Sequence, residues 1–138
     1  MIAVLLMAVA MPSEKMVDAV AHTESNFKHE AVGDGGKAIG AWQVWESAWQ
    51  TANDFRASHG QTRIRRQSAT PDQHREIARW LLAWHMQRLS DNGIAVTSQH
   101  VYLSYSMGFA GFKSIGFNPK NAPPVKQRAL QRLKSFLL

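Results

Sequence analysis

The fold is decided by Ala21-His22-Thr23-Glu24-Ser25-Asn26-Phe27 and by the glycine-rich run from Gly33 to Gln43 that follows it. Upstream, Met16, Val17, Val20 and Ala21 fall at i, i+1, i+4 and i+5, which is one apolar stripe if Ser13 to Glu24 is helical. Ser13 is placed to cap that helix, and Glu14 suits the positive end of its dipole. Glu24 follows Val20 by four residues and Val17 by seven, so it prolongs the inward-facing stripe. Burial disfavours the ionised form of a carboxyl group and raises its pKa, which suits a general acid near neutral pH. A glutamate that caps a turn or faces solvent fits the same spacing. The residues alone leave both readings open.

Beyond this stretch, Lys28 to Ile39 reads as a loop or short hairpin, because Gly33-Asp34-Gly35-Gly36 is strong turn chemistry. A phosphate-binding loop is excluded: Lys37 is followed by Ala38 rather than Ser or Thr, and no strand precedes the glycines. From Trp42 to about Arg56 the pattern is helical, with Trp42, Trp45, Trp49 and Ala52 or Phe55 on one side. Trp80 and Trp84 repeat the i, i+4 spacing later in the chain. Indoles stack on sugar rings and on nucleobases, but a tryptophan stripe at helical spacing reads as core. Trp42 alone, beside the glycine loop and Gln43, is assigned to a binding cleft.

Thr70-Pro71-Asp72-Gln73 starts a second long helix: a capping-box threonine, proline at the first helical position and glutamine at the third. It runs through Ile77, Trp80, Leu81, Trp84 and Leu89 to Asn92-Gly93. Thr97 opens another, carrying Val101, Tyr102, Tyr105 and Met107. Pro123-Pro124 precedes a last amphipathic helix with Val125, Ala129, Leu133, Phe136 and Leu137 expected inward. Met1 to Met11 is an apolar run without a charge, about half the ~20 residues a membrane span needs. It resembles the apolar region of an export signal, with Ala8-Val9-Ala10 as a candidate cleavage site, but lacks the positive start. A buried first element is the alternative. Residues 1–11 are therefore set apart, and 12–138 are read as one domain.

The 138 residues suit a single domain with a modest core, and a hydrophobic content of 45% excludes a disordered chain. Without cysteine there are no disulfides and no thiolate metal sites. The formal charge of +6 favours anionic partners, whether nucleic acid, acidic lipid or bacterial wall polymers. Arg63, Arg65 and Arg66 form the densest basic group, and Lys126, Arg128, Arg132 and Lys134 line the last helix. Both groups read as solvated faces. The six histidines make no His-Glu-x-x-His pattern, so no metal or other cofactor is expected, and there is no Gly-x-Ser-x-Gly elbow. Carboxylate chemistry is what remains. Glycoside cleavage usually takes two carboxylates, and the second candidate is Asp34, with Glu30 behind it.

Glu24-Ser25-Asn26-Phe27, the block Ala31 to Val44 with its Gly40-Ala41-Trp42-Gln43, and Tyr105-Ser106-Met107-Gly108 resemble three blocks of the lysozyme-like lytic transglycosylases. The resemblance covers roughly Met16 to Phe112. It departs from the family's pattern at Ser106, where asparagine is usual, and the Gly33–Gly36 block is about one residue longer than the commonest form. The resemblance implies a mainly α, lysozyme-like or goose-type-lysozyme-like catalytic domain with a short irregular or β-hairpin region. It implies that Glu24 serves alone, as acid and then base, on the β-1,4 bond between N-acetylmuramic acid and N-acetylglucosamine. The C6 hydroxyl of the muramic acid is then the attacking group, and 1,6-anhydro ends result. Ser25, Gln43, Tyr105, Trp42 and Ser106 are the implied substrate-binding or orienting residues, with Tyr105 approaching Glu24. The longer loop leaves room for a hydrolytic variant in which Asp34 positions a water. A non-catalytic basic module that binds wall or nucleic acid is the alternative of another class, although nucleic acid is not expected, because the tryptophans sit at core-like spacing. Implied partners are peptidoglycan strands and a secretion, conjugation or phage assembly. The expected setting is periplasmic, secreted or phage-encoded, and the expected state a monomer.

Overall fold

Ser13 does what its place before the apolar stripe demands. In the computed structural model, which describes residues 9–138, its hydroxyl accepts from the Met16 amide at 3.1 Å, and helix α1 (Glu14–Ser25) follows. The readings of 1–11 as a leader or first element fall largely outside the described residues; 9–11 have no regular structure. The predicted stripe of Met16, Val17, Val20 and Ala21 is buried, together with Ala19 and Thr23. Asn26 and Phe27 then adopt positive φ of 55° and 62°, which ends the helix and reverses the chain in two residues.

The reversal leads into an antiparallel hairpin, β1 (Val32–Gly33) and β2 (Ala38–Ile39), pairing Val32 with Ile39 and Gly33 with Ala38 around a 3-10 turn at Asp34–Gly36. The helix expected from Trp42 begins only at Glu46: α2 spans Glu46–Ser58. Gln43 has a φ of 52°, its amide closes a turn on the Gly40 carbonyl at 3.1 Å, and Val44 bridges back to Ile39. These bonds hold Trp42 to Trp45 in a turn, so the four aromatic and aliphatic positions do not share one helical face. Trp42 and Trp49 are each 1% exposed, whereas Trp45 is 41% exposed.

Helix α3 (Pro71–Asp91) opens with the predicted capping box, Thr70 accepting from the Gln73 amide and the Gln73 side chain from the Thr70 amide. Helices α4 (Ser98–Met107), capped by Thr97, and α5 (Phe109–Ser114) meet at Gly108, and α6 (Pro124–Leu137) closes the chain. α1 packs on α6 and α3, α2 on α3, and α3 on α4, around one cluster of buried apolar side chains. On α6 the buried residues are Ala129, Leu130 and Leu133; Val125 and Phe136, expected inward, are exposed. The stripe centred on Leu130 and Leu133 turns Val125 off the packed face, while Phe136 stacks on the His22 ring with centroids 4.6 Å apart. The architecture is mainly α with one small hairpin, as expected from the sequence. Among the described residues, no helix is long and apolar enough to cross a membrane.

The base of the hairpin is closed at Gly40, whose amide donates to the Ala31 carbonyl at 2.8 Å. Its φ is +79°, and a Cβ there would meet the His74 ring, with Nδ1 at 2.6 Å. Gly40→Ala combines a left-handed backbone with this clash, and should lower stability by ~2–3 kcal/mol in urea denaturation while leaving helical circular dichroism intact.

Candidate active site

Glu24 lies in the last turn of α1, and its side chain is only partly open to solvent. The negative end of the helix dipole and burial both disfavour a charge there. One carboxyl oxygen accepts a long hydrogen bond, 3.4 Å, from the Tyr102 hydroxyl on α4. Burial raises the pKa of Glu24; the positive charges of Lys126 and Arg132 and the Tyr102 bond oppose this, and the charge of Asp34 adds to it. The balance is upward, so the protonated form persists above the ordinary carboxylate range.

The carboxyl opens on a cleft of about 580 Å³ whose walls include Asp34, Gln43, Trp45, Tyr105, Ser106 and Lys126. A cavity of similar size, about 530 Å³, lies between Ser58–Gly60 and Trp80 and is lined by no acidic side chain. Of these two, the cleft beside Glu24 is the one that carries acidic side chains.

The sequence-predicted residues divide into two sets. Glu24, Asp34, Gln43, Tyr105 and Ser106 come together around the cleft. Gln43 spans the hairpin base, its amide donating to Gly40 O at 2.9 Å and Ala31 O at 3.3 Å. The Gln43 side-chain oxygen fills the space a Cβ on Gly33 would need, which accounts for that glycine. Asp34, at a φ of 52°, accepts from the Trp45 indole at 3.0 Å. Tyr105 lines the cleft, but its hydroxyl donates to the Trp42 carbonyl at 2.6 Å; the tyrosine that bonds Glu24 is Tyr102, one turn earlier.

Ser25 and Trp42 do not line the cleft. The Ser25 hydroxyl donates to the Ala41 carbonyl at 2.7 Å and accepts from the Lys28 amide at 3.1 Å, so it ties the end of α1 to the hairpin. Trp42, expected in the cleft, is in the core instead, its indole N–H donating to the Val17 carbonyl at 2.9 Å. The turn at Gly40–Gln43 points its ring inward beneath α1, and Trp45 takes the exposed place. Lys126 corrects a second expectation: it is half-buried in the cleft rather than on a solvated face, donating to Ser106 Oγ at 2.6 Å.

Three residues of the site are therefore absent from the sequence reading of its chemistry. Tyr102 stands three before Tyr105, and helical spacing puts both on neighbouring faces; that signal was there to use. Trp45 reaches the cleft because α2 starts at Glu46 rather than Trp42, which no local spacing signals. Lys126 carries no local signal, because only the packing of α6 brings it near Glu24. Among the described residues, no three His, Asp or Glu side chains come together to hold a metal.

A half-buried acid at a helix end thus faces a polar cleft built by a hairpin and a second helix, in a mainly helical domain. The transglycosylase SLT domain family matches residues 8–123, and the chain belongs to that family. No curated protein and no solved structure matches it significantly. Membership carries with it a transglycosylase-type action on the glycosidic bonds of peptidoglycan.

The position of Trp42 predicts a clean dissociation. Trp42→Phe should cost ~2 kcal/mol in denaturant unfolding, through the lost indole bond and volume, yet leave KM for wall fragments within about twofold. A ring that stacked on substrate would raise KM instead. Glu24 yields a prediction with a definite sign. Its folded pKa is raised, so its protonated form contributes stability that is full below about pH 4.5, the unfolded value, and is lost as pH rises through the folded pKa. Glu24→Gln should therefore be the more stable protein at pH 8, with the gap closing near pH 4, as read by thermal melts across pH.

Proposed function

We propose that this chain is a peptidoglycan lytic transglycosylase in which Glu24 is the single catalytic acid and base. The observation that carries the reading is the condition of that side chain: partly desolvated, raised in pKa and open to a polar cleft. A carboxyl group in this state keeps its proton to higher pH than an exposed one and is better suited to give it to a leaving oxygen.

The steps follow from that state. Glu24 donates its proton to the oxygen linking N-acetylmuramic acid to N-acetylglucosamine, and the C1–O bond breaks. Positive charge spreads over C1 and the ring oxygen of the muramic acid, beside the carboxylate just formed. That carboxylate then removes the proton from the C6 hydroxyl of the same sugar, whose oxygen closes on C1. The products are an N-acetylglucosamine terminus and a 1,6-anhydro-muramic acid, and Glu24 is protonated again. No water enters, and no second carboxylate is needed. Tyr102 holds the carboxyl group by its long bond, and Gln43 and Ser25 keep the hairpin wall at a fixed distance from it.

Asp34 supports a second reading, because it lines the same cleft. If it held a water against C1, the product would be a reducing end rather than an anhydro ring. Its carboxylate is engaged by the Trp45 indole, which favours a part in shaping the loop. Such a substrate sets the work in the cell envelope, whether the enzyme serves wall turnover, an export or conjugation machine, or a phage.

Mass spectrometry of muropeptides released from purified wall separates the readings. Anhydro-muropeptides are expected from the wild type. Glu24→Gln should reduce their release by ~10²–10⁴-fold, and Asp34→Asn should keep the anhydro product with its rate within about tenfold. Reducing ends as the main product, lost in Asp34→Asn, would instead establish hydrolysis.

A further inference from the structure

The cleft contains one cation that the reaction as described does not use. Lys126 lies in the first turn of α6, after Pro124 and Val125, and beyond residues 8–123 that match the family. A lysine there opposes the helix dipole, whose positive end it adjoins, so it does not stabilise α6. Nor is it solvated like the other basic residues of that helix: it is half-buried, and among the described residues it forms no ion pair with an acid. Its ammonium donates instead to Ser106 Oγ at 2.6 Å. A lysine held against two unfavourable terms in the cleft of a glutamate calls for an account based on that glutamate.

Its surroundings supply one. Ser106 is on α4, one helical turn after Tyr102, and lines the same cleft as Glu24 and Lys126. Tyr102 in turn donates to Glu24. Lys126 therefore bonds one residue of α4 and Glu24 another, the two a single helical turn apart, so α4 links the end of α6 to the end of α1. Serine is shorter than the asparagine usual at position 106 in the resemblance noted above, and the lysine ammonium meets the hydroxyl that remains.

We propose that Lys126 is a positioning residue for Glu24: its cation offsets the carboxylate left after proton donation and, through Ser106 and Tyr102, fixes where that carboxylate stands. The proposal rests on Glu24 being the acid and base of the reaction. A lone buried carboxylate in a cleft is costly, and a nearby ammonium lowers that cost without touching the sugar. It makes proton donation easier, while burial still holds the pKa of the resting group above the ordinary carboxylate range. The other groups facing Glu24 do not replace it. Arg132, also on α6, acts in the same direction but more weakly, with its guanidinium bonded to the Thr23 carbonyl at 3.3 Å. Asp34 acts in the opposite sense, and Tyr102 and Tyr105, both on α4, are held neutral by burial and by the charge of Glu24.

The test is a carbon-13 NMR titration of the Glu24 carboxyl in the full chain without substrate, the resonance being assigned by its loss in Glu24→Gln. Lys126→Met should move the Glu24 midpoint to higher pH, and Lys126→Arg should bring it back toward the wild-type value. With wall fragments, Lys126→Met should lower kcat on the order of tenfold, leave KM within about twofold and carry the alkaline limb of the kcat profile to higher pH. Thermal melts of the two variants serve as the check on folding. An unmoved midpoint in folded Lys126→Met overturns the proposal, as does a rise in KM with kcat and its pH profile unchanged, which would make Lys126 a substrate contact. The titration needs no turnover, so it answers separately from the catalytic reading: persistent digestion by Glu24→Gln would remove the reaction assigned to Glu24 while leaving the measured coupling in place.

Discussion

The structure depends on keeping one carboxyl group partly out of water at the end of a helix. α1 buries Met16, Val17, Val20 and Ala21 against the neighbouring helices, and the same periodicity carries Glu24 to the edge of the packed face. The chain then reverses through two left-handed residues, and Ser25 and Trp42 fasten the returning strand to the helix it has just left. Each of these bonds is made to a main-chain carbonyl. They fix the geometry of the cleft without contributing a group to its chemistry.

Function follows from the opposition between burial and charge. Burial alone would make Glu24 a weak acid with an unstable conjugate base, and strong cationic pairing alone would leave it ionised and unable to donate. Here burial prevails, with Lys126, Tyr102 and Arg132 moderating it and Asp34 reinforcing it. The five groups come from α1, the hairpin, α4 and α6, so the protonation of one side chain registers how four parts of the chain are packed. A second buried titratable group shows the contrast. His85, bonded to Ser104 at 2.6 Å in the core, has its pKa driven down to about 3 by burial and Arg88, so it stays neutral and serves packing.

Periodicity and caps made much of this legible in the sequence. The Ser13 and Thr70 caps, the α1 stripe, the glycine hairpin and the place of Glu24 all depend on residues close together in the chain, where local rules hold. The errors fall where long-range packing overrides them. The spacing of Trp42, Trp45 and Trp49 suits a helix, but a left-handed Gln43 bonded back to Gly40 breaks it, and the cleft gains Trp45 in place of Trp42. Val125 and Phe136 fit an amphipathic pattern whose true centre only the partner helix α1 decides. Lys126 looked like any other base on a basic helix. It shares a cleft with Glu24 only because distant parts of the chain pack together, and no local pattern encodes that.

The central claim, that the buried carboxyl of Glu24 meets the scissile oxygen, is tested most directly by a crystal structure of Glu24→Gln with a peptidoglycan glycan fragment bound. The account predicts the substituted amide within ~3 Å of a glycosidic oxygen, with the muramic acid C6 hydroxyl on the same side and Trp45 and Gln43 against the chain. A glycan seated away from position 24, or crossing the cleft with its linking oxygens turned from that side chain, would contradict it.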